Sequence, residues 1–189
     1  MAKRGATLST SEVRRDAVVD AAIIEFARTG YHGTPINNVA AKAEISPAYV
    51  FKLFPGKIAL FVAAIDRCFE LVVQALSAGA ARADGESPDE ILYAMGGAYA
   101  DLIADRSLLM LQVHAQSAAD IPEIADAMRR GLAKVTTFAK TRSGAANSAV
   151  QRFMAYGQLC HLIVTLELDH QDGDWAAMLT EGMRHPDTH

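Results

Sequence analysis

Thr34-Pro35 and Ser46-Pro47 lie close enough together to confine the chain between them to one short helix and a tight turn, with a second helix beginning at the second pair. In each pair the hydroxyl residue stands where a helix N-cap belongs, and its oxygen can accept from an otherwise unpaired amide. The proline behind it has no amide to lose and arrives with a helical φ already set. Between the caps, Val39, Ala40 and Ala43 make a small apolar face, and Lys42 to Ile45 is a connector of turn length. Beyond the second cap, Val50 and Phe54 repeat at i and i+4, the inward stripe of one short helix. Two short helices crossing through alanines predict a helix-turn-helix. Its second helix is then the one offered to a DNA major groove.

The rest of the chain is helical by the same signals, with no period-two run long enough for a strand. Hydrophobic residues make up 51% and charged residues 21% of the 189, a globular composition. Ser9 to Glu12 reads as a capping box, starting a first helix near residue 10 whose stripe is Val18, Ala21, Ala22 and Phe26. Gly30 ends it, with Tyr31 folded back over the end. Helices are expected at about 35–42 and 46–52. A long one from Lys57 to about Ala81 follows, on Ile58, Phe61, Ile65, Phe69, Val72 and Leu76. After a linker at 83–88, helices are expected at about 88–104, 106–118, 122–140, 147–168 and 174–183. The fold class is all-α, with a three-helix DNA-binding domain at 1–60 (residues 1–8 a mobile arm bearing Lys3 and Arg4) and a helical effector-binding and dimerisation domain at 61–189.

From Val18 to Leu60 the chain reads VVDAAIIEFARTGYHGTPINNVAAKAEIS and then, after Pro47-Ala48-Tyr49, VFKLFPGKIAL. This segment resembles the DNA-binding domain of the tetracycline-repressor-like (TetR) family of bacterial transcription regulators. The remaining three-quarters match that family in length and helical character. The resemblance implies a cytoplasmic homodimer, paired through its last long helices, that binds a palindromic operator as a repressor. A small apolar or amphipathic effector would release it. The chain departs from the family's pattern at four places. Glu44 stands where a turn glycine is usual, Phe51 where a phosphate-binding tyrosine is usual, Leu53 where a histidine is frequent, and Gly56 where Ser or Thr caps the fourth helix.

The formal charge of −4 divides unevenly. Residues 1–60 carry eight Lys and Arg against five acids, a net +3, and the remainder carries −7. The favourable field for phosphate is therefore at the head. The expected DNA contacts are Thr34, Pro47, Ala48, Tyr49, Phe51, Lys52 and Lys57, with Thr34 both cap and phosphate seat. Arg14 and Arg15 read as solvated charges first. Helix 147–168 is apolar on more than one side, which calls for burial all round. A second copy of itself would supply that, and the expected dimer interface is Val150, Met154, Gly157, His161, Val164 and Leu168 with Trp175, Met178 and Leu179.

Met95, Tyr99, Met110, His114, Phe138, Phe153 and Tyr156 are the expected lining of an effector pocket, since Met and aromatics suit an adaptable apolar cavity. They suit an ordinary core as well. Gly96-Gly97 weakens its helix by about 1 kcal/mol per glycine, which packing beside a ligand would motivate. Asp101 or Asp105 would favour a cationic effector, against the plainer reading of solvated charge. Enzymatic readings fare poorly. Cys160 and His161 are adjacent on one helix and point about 100° apart, so they form no nucleophile–base pair. The acids from Asp169 to Asp174 miss the calcium-loop positions. His185, Asp187 and His189 form a tail that could scavenge metal without a functional purpose. No cofactor, metal or membrane span is expected, and Cys68 and Cys160 read as reduced, buried thiols. The alternative is an all-α small-molecule-binding protein or enzyme without specific DNA binding.

Overall fold

In the computed structural model, which describes residues 10–183, one long helix organises both ends of the molecule. This is α4 (Lys57–Arg82), which follows α1 (Thr10–Gly33), α2 (Ile36–Lys42) and α3 (Pro47–Leu53) and precedes α5 (Pro88–Ile103), α6 (Arg106–Ser117), α7 (Pro122–Ser143), α8 (Asn147–Leu166) and α9 (Asp174–Thr180). A single 3₁₀ turn, Leu168–His170, joins the last two. All the regular structure among the described residues is helical. The arm, Ser9 of the capping box and the His185–His189 tail lie outside those residues.

The apolar stripe of α4 is buried as its period demands, with Phe61, Ile65, Phe69, Val72 and Leu76 all inside. Its first turns pack on α1, where Phe26 and Phe61 meet edge to face with ring centroids 4.7 Å apart. Farther along it packs between α5 and α7. Two glycines permit those close crossings. A Cβ on Gly131 of α7 would fall 2.0 Å from Cδ2 of Phe69, and one on Gly79 would fall 2.6 Å from the Ala94 carbonyl. The expected boundary at residue 60 falls in the first turn of α4, so the two parts share a helix.

Helix ends depart from expectation in four places. α7 continues to Ser143, where Gly144 closes it in a left-handed conformation. α8 stops at Leu166 because Glu167 takes φ 53°, and α9 stops at Thr180. The fourth is the start of α2. Its N-cap is Pro35, with no side-chain cap, and Thr34 is fully buried. The Thr34 hydroxyl lies 2.8 Å from the Gly30 carbonyl and 3.1 Å from the Glu25 carbonyl, with the Thr29 hydroxyl at 2.7 Å. Those groups are the loose end of α1, left open where Gly30 breaks the helix at φ 70°. Thr34 thus closes the helix before it instead of capping the helix after it. Under the same break, a Cβ on Gly30 would fall 3.0 Å from Nδ1 of His114 in α6, so α6 is seated directly against the head.

Candidate nucleic-acid interface and ligand cavity

α3 is built as its cap predicts. The Ser46 side chain accepts from the Tyr49 amide at 3.2 Å, Pro47 occupies the first turn, and Val50 and Phe54 bury the inward stripe. That inward set leaves Pro47, Ala48, Phe51 and Lys52 exposed and Tyr49 half-buried. Phe51 shows 53% of its surface, a large apolar side chain bared on a seven-residue helix. The turn before α3 is a Schellman closure of α2, with the Ile45 amide on the Ala40 carbonyl and the Glu44 amide on the Ala41 carbonyl. It requires a left-handed residue, and Glu44 supplies it at φ 54°.

α1 holds this unit from the side. Arg15 is no free surface charge: its guanidinium donates to the Leu53 carbonyl at 2.8 Å and stacks 4.1 Å from the Phe54 ring centroid. It satisfies the last turn of α3 with a cation, which the helix dipole favours. Arg14 lies 5.7 Å and the Lys52 ammonium 5.9 Å from the Tyr49 ring, so positive charge brackets the exposed face of α3. Lys57 is half-buried, donates to the His32 carbonyl at 3.3 Å and sits 5.0 Å over Tyr31. Partial burial lowers its pKa below the usual value. The chain's own carbonyl and ring account for a cation at this helix start. Thr34 cannot serve as the phosphate seat, since its hydroxyl is buried and engaged.

The expected dimer face needs correction on α8. Val150, His161, Val164 and Leu168 are buried within their own chain, and Met154 and Gly157 are half-buried against the cavity described below. The large exposed apolar residues of α8 are Tyr156, Leu162 and Leu166, and Trp175, Met178 and Leu179 of α9 are exposed as well. α8 carries two apolar stripes, and α5, α6 and α7 cover the one containing His161. The other is bare.

A cavity of about 470 Å³ opens between α4, α5, α7 and α8, within the size range of sites for drug-sized ligands. Its lining takes in Tyr99, Phe153 and Tyr156 of the seven residues expected and leaves out four. Met95 is wholly buried core, Met110 and Phe138 are half-buried against the core, and His114 faces Gly30. Asp101 and Asp105 do not line it, and Asp105 caps α6 by accepting from the Ser107 amide at 2.9 Å. Gly96, Gly97 and Gly157 do, and a Cβ on Gly157 would meet nothing within 4 Å. Phe69, Val72 and Leu76 of α4 form the inner wall, so the helix that abuts the reading head also touches any occupant.

The buried polar groups here were not singled out from sequence as a set. The Tyr99 hydroxyl lies 2.7 Å from Nε2 of His161, and Nε2 of Gln112 donates to the same hydroxyl at 3.5 Å and to the Leu108 carbonyl at 3.2 Å. Burial pushes the His161 imidazole down to about 4, so it is neutral at pH 7. Its Nδ1 is buried without a partner among the described residues. Cys160, on the cavity wall, has its thiol pKa raised by burial, which keeps it protonated. Three residues from three helices meet here, and no sequence spacing announces such a meeting.

Comparison with known proteins gives a consistent picture. Residues 18–64 match the family model for bacterial regulatory proteins, tetR family. No curated protein sequence shows significant similarity to the chain. Among solved structures it is similar to a TetR-like transcriptional regulator from Rhodococcus sp. RHA1, at 22% identity and TM-score 0.65, covering 92% of this chain and 93% of that one. It is similar to the transcriptional regulator FadR from Bacillus subtilis in complex with stearoyl-CoA, at 16% identity, TM-score 0.65, and 89% and 99% coverage. It is also similar to the multidrug binding protein EbrR complexed with imidazole, at 23% identity, TM-score 0.62, and 93% and 97% coverage. Two of these are described as transcriptional regulators and the third as a multidrug binding protein. No single helix among the described residues is long and apolar enough to cross a membrane.

Proposed function

We propose that this chain, which carries the TetR-family DNA-binding domain and the fold of the family's transcription regulators, works as a homodimeric repressor on a palindromic operator and is released by a small molecule. The observation that carries the reading is the bared face of α3, where Phe51, Lys52, Ala48 and Pro47 are exposed on a helix too short to leave apolar surface unpartnered. Ala48 and the Pro47 ring suit thymine methyls and sugars, while Lys52 and the Tyr49 hydroxyl suit phosphates or base edges. Lys57 keeps ammonium protons beyond the one on His32, so a phosphate contact there is compatible with its local role.

The exposed stripe of Leu162, Leu166, Trp175 and Met178 supports pairing across a two-fold axis, which would present two α3 helices to two half-sites. An effector in the cavity presses on α4, and α4 begins one tight turn beyond α3. The energetics require only that the effector bind the DNA-incompetent arrangement better, by a few kcal/mol. Fluorescence anisotropy with DNA from upstream of the protein's own gene, at two salt concentrations, tests the reading. Specific binding that weakens with salt is expected, and Lys52→Ala with Tyr49→Ala should abolish it while the dimer persists in size-exclusion chromatography. Undiminished affinity in that double variant refutes the assignment of α3.

A further inference from the structure

The chemistry of the cavity's inner wall narrows what it can hold. Gln112 is 6% exposed, and it lines the cavity from α6. Both protons of its amide nitrogen are engaged, on the Leu108 carbonyl and the Tyr99 hydroxyl, which fixes which end of the amide is which. No described residue donates to its carbonyl oxygen, Oε1. That oxygen is also not among the fully enclosed unpaired atoms, and Gln112 is one of the residues that line the cavity. A carbonyl so placed can accept from an occupant, and an occupant that sealed it from water without donating would leave it with a desolvation cost.

The charges of the lining lie elsewhere. Asp89, Arg152 and Glu181 are all exposed and sit at the mouth, one cation against two anions. The inner wall is Phe69, Val72, Leu76, Tyr99 and Gln112, without a carboxylate and without a cation. An ammonium carried down to Gln112 would be desolvated with no counter-charge, and a carboxylate or phosphate would meet a carbonyl oxygen and no cation.

On the reading of this cavity as the effector site, we infer that it takes a neutral, largely apolar molecule bearing one hydroxyl, an alcohol or phenol, whose proton is donated to Oε1 of Gln112. A long hydrocarbon or aromatic body fills the space beside Phe69, Leu76 and Phe153.

Isothermal titration calorimetry on the full-length protein with three matched probes tests this: 4-heptylphenol, its methyl ether 4-heptylanisole, and 4-heptylbenzoate. The phenol should bind about tenfold more tightly than the ether, the worth of one buried hydrogen bond and the acceptor it satisfies, and the benzoate more weakly than either. Gln112→Leu should bring phenol and ether to equal affinity while the ether's own affinity holds. Equal binding of phenol and ether by the unaltered protein, or tightest binding of the benzoate, overturns the inference and leaves the cavity as an effector site of other chemistry. Binding of none of the three overturns the cavity reading itself. The comparison of phenol with ether needs no variant, so it stands even if Gln112→Leu fails to fold.

Discussion

The most quantitative consequence of the buried polar cluster concerns His161 and acid. Its imidazole is 4% exposed, its Nε2 is held by the Tyr99 hydroxyl, and its Nδ1 has no partner among the described residues. Burial lowers its pKa from 6.5 to about 4. Between those values the unfolded chain binds a proton that the folded chain refuses, so stability rises with pH across that window and is lost as pH falls from 6.5 toward 4. At about 1.4 kcal/mol per pH unit, the full loss at pH 4 is on the order of 3 kcal/mol, a large share of the stability of a domain this size. Urea unfolding of the unaltered protein and of His161→Gln, at fixed protein concentration and at pH 7, 6, 5 and 4, isolates the effect. Carboxylates titrate in both proteins and cancel in the difference. Glutamine can still bond Tyr99 but cannot titrate, so the variant should gain on the parent by about 3 kcal/mol between pH 7 and pH 4. A stability difference independent of pH would show that the imidazole is not held neutral, and the burial argument would fail with it.

Three other outcomes can be checked at single positions. Gly131→Ala drives a Cβ into the ring of Phe69, which is itself buried and cannot swing away, so thermal melting should show a loss of at least about 1–3 kcal/mol. Glu44→Gly relieves a left-handed side chain at φ 54°, and after the added freedom of the unfolded glycine it should raise stability by about 0.5 kcal/mol, read as the urea midpoint. Leu162→Asp with Leu166→Asp places two charges on the bare stripe of α8. Light scattering should then report a monomer with an unchanged circular dichroism spectrum, and a dimer that survives would move the interface elsewhere.

Local signals decided much of this protein before any packing was known. Ser46-Pro47 starts α3 because a hydroxyl cap and an amide-free first turn act within four residues, and Val50 and Phe54 bury because helical period puts them together. The same grammar at Thr34-Pro35 misled, since Gly30 opens the end of α1 and the Thr34 hydroxyl turns to carbonyls there, leaving α2 without a side-chain cap. α8 shows the limit most plainly. Its periodicity displays two apolar stripes of equal merit, and a helix cannot know which neighbour it will meet. Only the positions of α5, α6 and α7 bury Val150, His161 and Val164 and leave Leu162 and Leu166 in the open. The cluster of Tyr99, Gln112 and His161 is likewise a tertiary fact, with its members 13 and 62 residues apart along the chain from Tyr99. Spacing along the chain governs what one helix does to itself, while burial and polar partnership depend on distances that exist only after helices have packed.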